Sequence, residues 1–180
     1  MPRLRNTRLF LGYVQSFTNT YGPASRLAAL LSELSSLPGL AGACIGTRPD
    51  CVDGEKMALM AAQPWREFWL DVGVQSMSDA TLARINRGHA AKDTETALRL
   101  AARFGVKVCA HLMAGLPGES GEDFLDSVRR LAALPFAGIK LHNLYFPKGT
   151  AVERAWREGS LRPLEQEEYA SLAARALTLL

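Results

Sequence analysis

Five short apolar runs, each followed by a polar or glycine-bearing turn and then by a helical pattern, restrict this chain to one family of architectures. The runs are RLFLGYV (8–14), LAGACIG (40–46), EFWLDVGV (67–74), VKVCAHLMAG (106–115) and AGIKLHNLYF (137–146). Each is rich in Val, Ile, Leu and aromatics and reads as a buried strand. Successive runs start about thirty residues apart, the size of a βα repeat. Strands alternating with helices imply a parallel sheet with helices outside it. No sequence-level repeat, linker or low-complexity run interrupts the chain, so residues 1–180 are expected to form a single domain.

The helices between the runs carry their own start and stop signals. Pro23 suits a first helical position ahead of Leu27, Leu30, Leu31 and Leu34 on one face. Asp93 reads as a cap and Gly105 as a stop. Ser120 opens a helix with acidic residues early and arginines late, as the helix dipole favours. Near the end, Tyr169, Leu172, Ala173, Ala176, Leu177 and Leu180 form one stripe.

Hydrophobic residues make up 48% and charged residues 22% of the chain, a globular balance that argues against global disorder. The formal charge of +3 is too small to argue for nucleic acid by itself. Three cysteines, Cys44, Cys51 and Cys109, are too sparse for a secreted disulfide framework. The basic start MPRLRNTR is followed by too short an apolar stretch for a signal peptide, and no run reaches a membrane span. A reduced, cytoplasmic protein with no membrane partner is the expectation.

A parallel βα array places ligands at the carboxyl ends of its strands. Those ends read QSFTNTYGP, GTRPD, GVQSMSD, HLMAGLPGES and LHNLYFPKGT, all polar or glycine-rich. Gln75 offers a donor and an acceptor, and Arg87 a fork suited to a carboxylate. Together they suit an amino-acid-like ligand; singly, each also reads as an ordinary strand-end amide or helix-end charge. Gly115 and Gly118 suit either a phosphate cradle or a tight turn. His111 and His142 can face one another from neighbouring strands, as hydrogen-bonding groups or, less readily, as metal ligands. No nucleophile elbow, catalytic cysteine context or zinc spacing is present, so no metal site is assigned.

DVGVQSMSDATLARINRGH, HLMAGLPGES, GIKLHNLYFPKGT, YVQSFTNTYGP and IGTRPDC occur in an order that resembles the radical S-adenosylmethionine (radical SAM) core domain. The resemblance covers about Arg8 to Leu180. It is to an uncharacterised bacterial branch related to oxygen-independent coproporphyrinogen dehydrogenase and the elongator catalytic subunit. It implies an α/β fold, a partial (β/α) barrel of about five parallel βα units with the first unit missing. It also implies S-adenosylmethionine bound to a [4Fe-4S] cluster, an electron donor, and a 5′-deoxyadenosyl radical that abstracts hydrogen from a substrate.

By the same resemblance, Thr18, Asn19 and Thr20 meet the methionine amino group, and Gly46, Thr47 and Arg48 lie beside the ribose or methionine. Gln75 is a fourth-strand polar contact and Arg87 the carboxylate contact. His111 takes a ribose-binding position, Met113 packs on adenine, and Gly115, Leu116, Pro117 and Gly118 support that wall. Lys140, His142 and Leu144 reach cofactor or substrate. The chain departs from the pattern in lacking any C-x-x-x-C-x-x-C loop. An iron–sulfur cluster needs its thiolates, so the chain is expected to be an inactive fragment of a full enzyme. The alternatives are a cluster-less module that binds a nucleoside or S-adenosylmethionine, one that needs a second polypeptide, or one that associates with RNA.

Overall fold

A computed structural model describes residues 8–180. The basic residues 1–7, on which part of the signal-peptide argument rests, lie outside the described residues. The elements run β1 (Phe10–Val14), α1 (Ala24–Ser35), β2 (Leu40–Thr47), a short 3-10 turn (Pro49–Cys51), α2 (Gly54–Ala61), β3 (Glu67–Gln75), α3 (Asp79–Arg84), α4 (Ala91–Arg103), β4 (Lys107–Ala114), α5 (Gly121–Ala132), β5 (Gly138–Asn143), α6 (Ala151–Arg157) and α7 (Gln166–Leu177).

All five expected strands form, in one sheet in sequence order. β1 pairs with β2 and β2 with β3 in parallel, with Tyr13 opposite Cys44 and Cys44 opposite Trp69. At β4 and β5, Ala137 donates to the Val108 carbonyl and Leu144 to that of Ala114, so positions rise together along both strands and this pair also runs in parallel. Sequence-order strands joined by helices leave every strand pointing the same way. Each post-strand loop therefore leaves the carboxyl end of its own strand, where the polar residues lie.

The chain divides into two compact units. Of the described residues, the first comprises 8–73, 93–110 and 135–138, and the second comprises 74–92, 111–134 and 139–180. In the first, α1 buries Leu27 and Leu31, one helical turn apart, and touches α2 and β2. Ile45, Met57, Met60, Leu70, Val72 and Leu98 complete its interior, each contributing on the order of 2 kcal/mol of burial. Leu9, Phe10 and Leu11, on and beside the edge strand β1, remain about half exposed.

In the second unit the interior is built from Met77, Leu82, Leu112, Phe124, Leu125, Val128 and Leu131, with α5 touching α7. Ser120 caps α5 in a full capping box, its hydroxyl accepting the Asp123 N–H while the Asp123 carboxylate accepts the Ser120 N–H.

Three local expectations change. Pro23 is the extended cap of α1, not its first residue, because ψ of 152° has not yet entered the helix. α4 starts at Ala91, so Asp93 lies inside its first turn and supports the dipole there. On α7 only Leu172 and Ala176 are buried, while Leu177 is 60% exposed and Leu180 48%, so the apolar stripe is narrower than its periodicity suggests.

Candidate functional site

The strand-end residues of the first unit are tied to one another. Asn19 follows β1, and its side-chain amide donates to the carbonyls of Val14 (3.0 Å) and Gly46 (3.1 Å). Both of its N–H groups are thus committed to backbone, which leaves the side-chain carbonyl for a ligand. Thr20 and Thr47, both buried, share a hydrogen bond between their hydroxyls that ties the loop after β1 to the end of β2. Arg48 grips Asp50 through two nitrogens, and this ion pair raises the guanidinium pKa. Thr18 and Arg48 line a surface hollow of about 390 Å³ with Phe17, Tyr21, Arg26 and Cys51. Deeper in this unit, the Tyr13 hydroxyl donates to buried Asp71 at 2.8 Å. That tie had no signal in the sequence beyond a lone acidic residue in an apolar strand.

The second unit holds the ends of β3, β4 and β5. Gln75, the last residue of β3, has φ of 67°, a left-handed conformation that side chains other than glycine rarely adopt. Its side chain makes no hydrogen bond among the described residues, so the amide is available to a ligand. Arg87 lies just past the end of α3, half-buried, where its N–H donates to the Leu82 carbonyl. On β4 the alternation buries Leu112 and Ala114 and leaves His111 and Met113 half-buried on the other face. His142 Nε2 lies 3.3 Å from His111 Nδ1, with the ring centres 5.2 Å apart. The two histidines do face one another, as hydrogen-bonding groups.

The turn after β4 is braced from both sides. Gly115 and Gly118 both have left-handed φ, at 79° and 75°. A side chain on Gly115 would meet Leu164 at 3.3 Å, and one on Gly118 would overlap the Arg84 guanidinium. Arg84 in turn donates to the Pro117 carbonyl at 3.1 Å. The left-handed φ is what favours glycine at both positions, since the Leu164 and Arg84 atoms that a Cβ would meet belong to side chains that can shift. Asn143 donates to the Leu164 carbonyl at 3.3 Å, and its side-chain oxygen is buried without a hydrogen bond among the described residues.

Glu119 closes the turn and bonds to the Ser76 hydroxyl beside Gln75. Burial pushes the Glu119 carboxyl above its ordinary pKa, against the pull of hydrogen bonds with Ser76 and Thr81. A carboxyl with a raised native pKa favours the fold fully below the unfolded-chain value. That contribution is lost as pH rises through the raised value. Glu119→Gln should therefore flatten the decline of stability across and just above the ordinary glutamate range, as measured by urea midpoints at a series of pH values. An unchanged slope would remove Glu119 as its source.

A model of the radical SAM superfamily matches residues 6–131. The chain belongs to the radical SAM superfamily. A second model, of the radical SAM C-terminal domain, matches residues 136–180. Protein YhcC of Escherichia coli is 35% identical over 176 residues, covering 97% of this chain and 57% of that protein. Among solved structures, Elp3 of Methanocaldococcus infernus with an N-terminal deletion aligns with a TM-score of 0.80 at 22% identity, over 97% of this chain and 46% of that one. Coproporphyrinogen III oxidase (HemN) of Escherichia coli, a radical SAM enzyme, aligns at 0.71 with 19% identity, over 91% and 38%. The fold class and the two related branches expected from the sequence are thus the ones found. The radical SAM chain described here spans about half the length of these relatives.

Radical SAM proteins as a family use S-adenosylmethionine and a [4Fe-4S] cluster. The cysteines of this chain do not fit the cluster. Cys44 lies on β2, Cys51 in the 3-10 turn and Cys109 on β4, and among the described residues they do not converge as a ligand set. Burial also raises the Cys51 thiol pKa, which opposes the thiolate that iron requires. Each unit also keeps one polar group uncommitted among the described residues, the Asn19 side-chain carbonyl in the first and the Gln75 amide in the second. Among the described residues, no helix is long and apolar enough to cross a membrane.

Proposed function

We propose that this chain is the S-adenosylmethionine-binding part of a radical SAM enzyme. The observation that carries the reading is Gln75. It is a non-glycine residue held left-handed at a strand's carboxyl end, with its amide uncommitted. Backbone strain of this kind is kept where the surrounding structure fixes it and function uses it. In the second unit, Gln75 takes the polar atoms of the methionine portion, Arg87 its carboxylate, His111 the ribose hydroxyls, and Met113 the adenine face. Gly115 keeps the turn beside them closed. In the first unit, the Asn19 carbonyl, with Thr18, Thr20, Gly46, Thr47 and Arg48 shaping its surroundings, is the acceptor offered to a ligand ammonium. Because the cysteines present do not form a cluster site, no step of radical chemistry is assigned to these residues.

Calorimetry with S-adenosylmethionine on the 180-residue chain tests this reading. Gln75→Ala and Arg87→Ala should each weaken binding about tenfold or more, the loss of one charge-assisted hydrogen bond at roughly 1.5–3 kcal/mol. No binding by the native chain, or binding that neither change alters, would overturn it.

A further inference from the structure

The strained conformation of Gln75 has a visible source within its own unit. Ser76 donates its N–H to the Val74 carbonyl at 2.9 Å, which closes a three-residue turn around Gln75. A turn of this kind with positive φ is rare and unfavourable by itself. The three residues after it are pinned. The Ser76 side chain is fully buried, and its hydroxyl donates to the Glu119 carboxylate. The same oxygen accepts the Ser78 N–H at 3.0 Å and lies 3.3 Å from the Ser127 hydroxyl. Ser127 accepts the Met77 N–H at 2.9 Å, and the Arg130 guanidinium donates to the Met77 carbonyl. Ser127 and Arg130 are three positions apart, on one face of α5. The Met77 N–H and carbonyl are therefore both held from α5, and the Ser78 N–H is held by the Ser76 hydroxyl, which Glu119 of the turn after β4 fixes in turn.

We propose that Ser76, Ser127 and Glu119 form a positioning network that keeps Gln75 left-handed and thereby aims its amide at the ligand. None of the three needs to touch that ligand. Without the network, Gln75 relaxes toward the extended region and its side chain turns to the other face of β3, because successive residues of a strand point to opposite sides. The ligand part of this inference rests on the function proposed above; the conformational part does not.

The test uses the full chain and two readouts. The first is hydrogen exchange of the Ser76 amide, normalised to that of Leu125 within α5. Ser127→Ala should speed it at least tenfold. The same change in a Gln75→Gly background should speed it far less, because glycine keeps the turn unaided. Equal acceleration in both backgrounds, or none, would overturn the proposal. The second readout is affinity for S-adenosylmethionine. Ser127→Ala should lower it about tenfold when Gln75 is present and not further when Gln75 is already alanine, and Ser127→Thr should restore it. Losses that simply multiply would show that Ser127 does not act through Gln75. If the native chain binds no S-adenosylmethionine, the proposed function falls, and the exchange comparison still decides the positioning role. Should Ser127→Ala fail to fold, Ser127→Cys, a poor acceptor for the Met77 N–H, carries the same comparisons.

Discussion

Gly42→Ala should destabilise the chain by roughly 3 kcal/mol, the upper end of the cost of overpacking a filled interior. Gly42 sits on β2 between Leu11 of β1 and Glu67 of β3. A Cβ there would lie 1.9 Å from the Glu67 carbonyl oxygen, 2.8 Å from its carbon and 2.9 Å from the Leu11 side chain. The first two atoms are backbone, and they yield only if β2 and β3 separate. Gly12→Ala on β1 is the control. Its Cβ would meet the end of the Leu40 side chain at 3.2 Å, which a small rotamer adjustment relieves. Urea unfolding of both variants checks the contrast, and a Gly42→Ala midpoint equal to that of Gly12→Ala would contradict it.

Phe124→Ala should cost about 4 kcal/mol, within the range for deleting a buried aromatic. Phe124 is 1% exposed and heads the large, fully buried side chains. It stands in the first turn of α5, just after the Ser120 capping box that ends the glycine turn. Its loss opens a cavity beneath the helix that carries Ser127 and Arg130. Binding of S-adenosylmethionine should therefore fall together with thermal stability. Leu177→Ala on α7, where the side chain is 60% exposed, should change stability by less than about 0.5 kcal/mol. Thermal melts of the two variants that overlapped would refute this assignment of the core.

These losses bear differently on function. Gly42 protects the ladder that aligns β2 with β3, and so the level at which the loops after those strands emerge. Phe124 anchors α5, whose Ser127 and Arg130 hold Met77 two residues after Gln75. Both matter to the ligand contacts proposed above, because those residues lie on or just after the strands and not in the closed interior. Thr18, Asn19, Gln75, His111 and Met113 are all only partly buried, whereas the strand interiors beside them are closed.

The sequence by itself determined the five strands, their order and the end of the sheet at which polar residues collect. Strand and helix periods are written in neighbours two to four positions apart, and the helix start at Ser120 is written in local capping chemistry. It also marked Gln75 and Arg87 as ligand candidates, from residue type and position alone. What only the tertiary structure decided is which polar groups remain free to act. The Asn19 amide is committed to Val14 and Gly46, and Arg48 to Asp50, whereas the Gln75 amide is not committed among the described residues. The left-handed turn at Gln75 depends on Ser127, which is 51 positions from Ser76, and on Glu119, which is 43 positions away. No local pattern encodes such a pairing, because a hydrogen bond is set by where the folded backbone brings two atoms together, and that geometry exists only once the strands and α5 have packed.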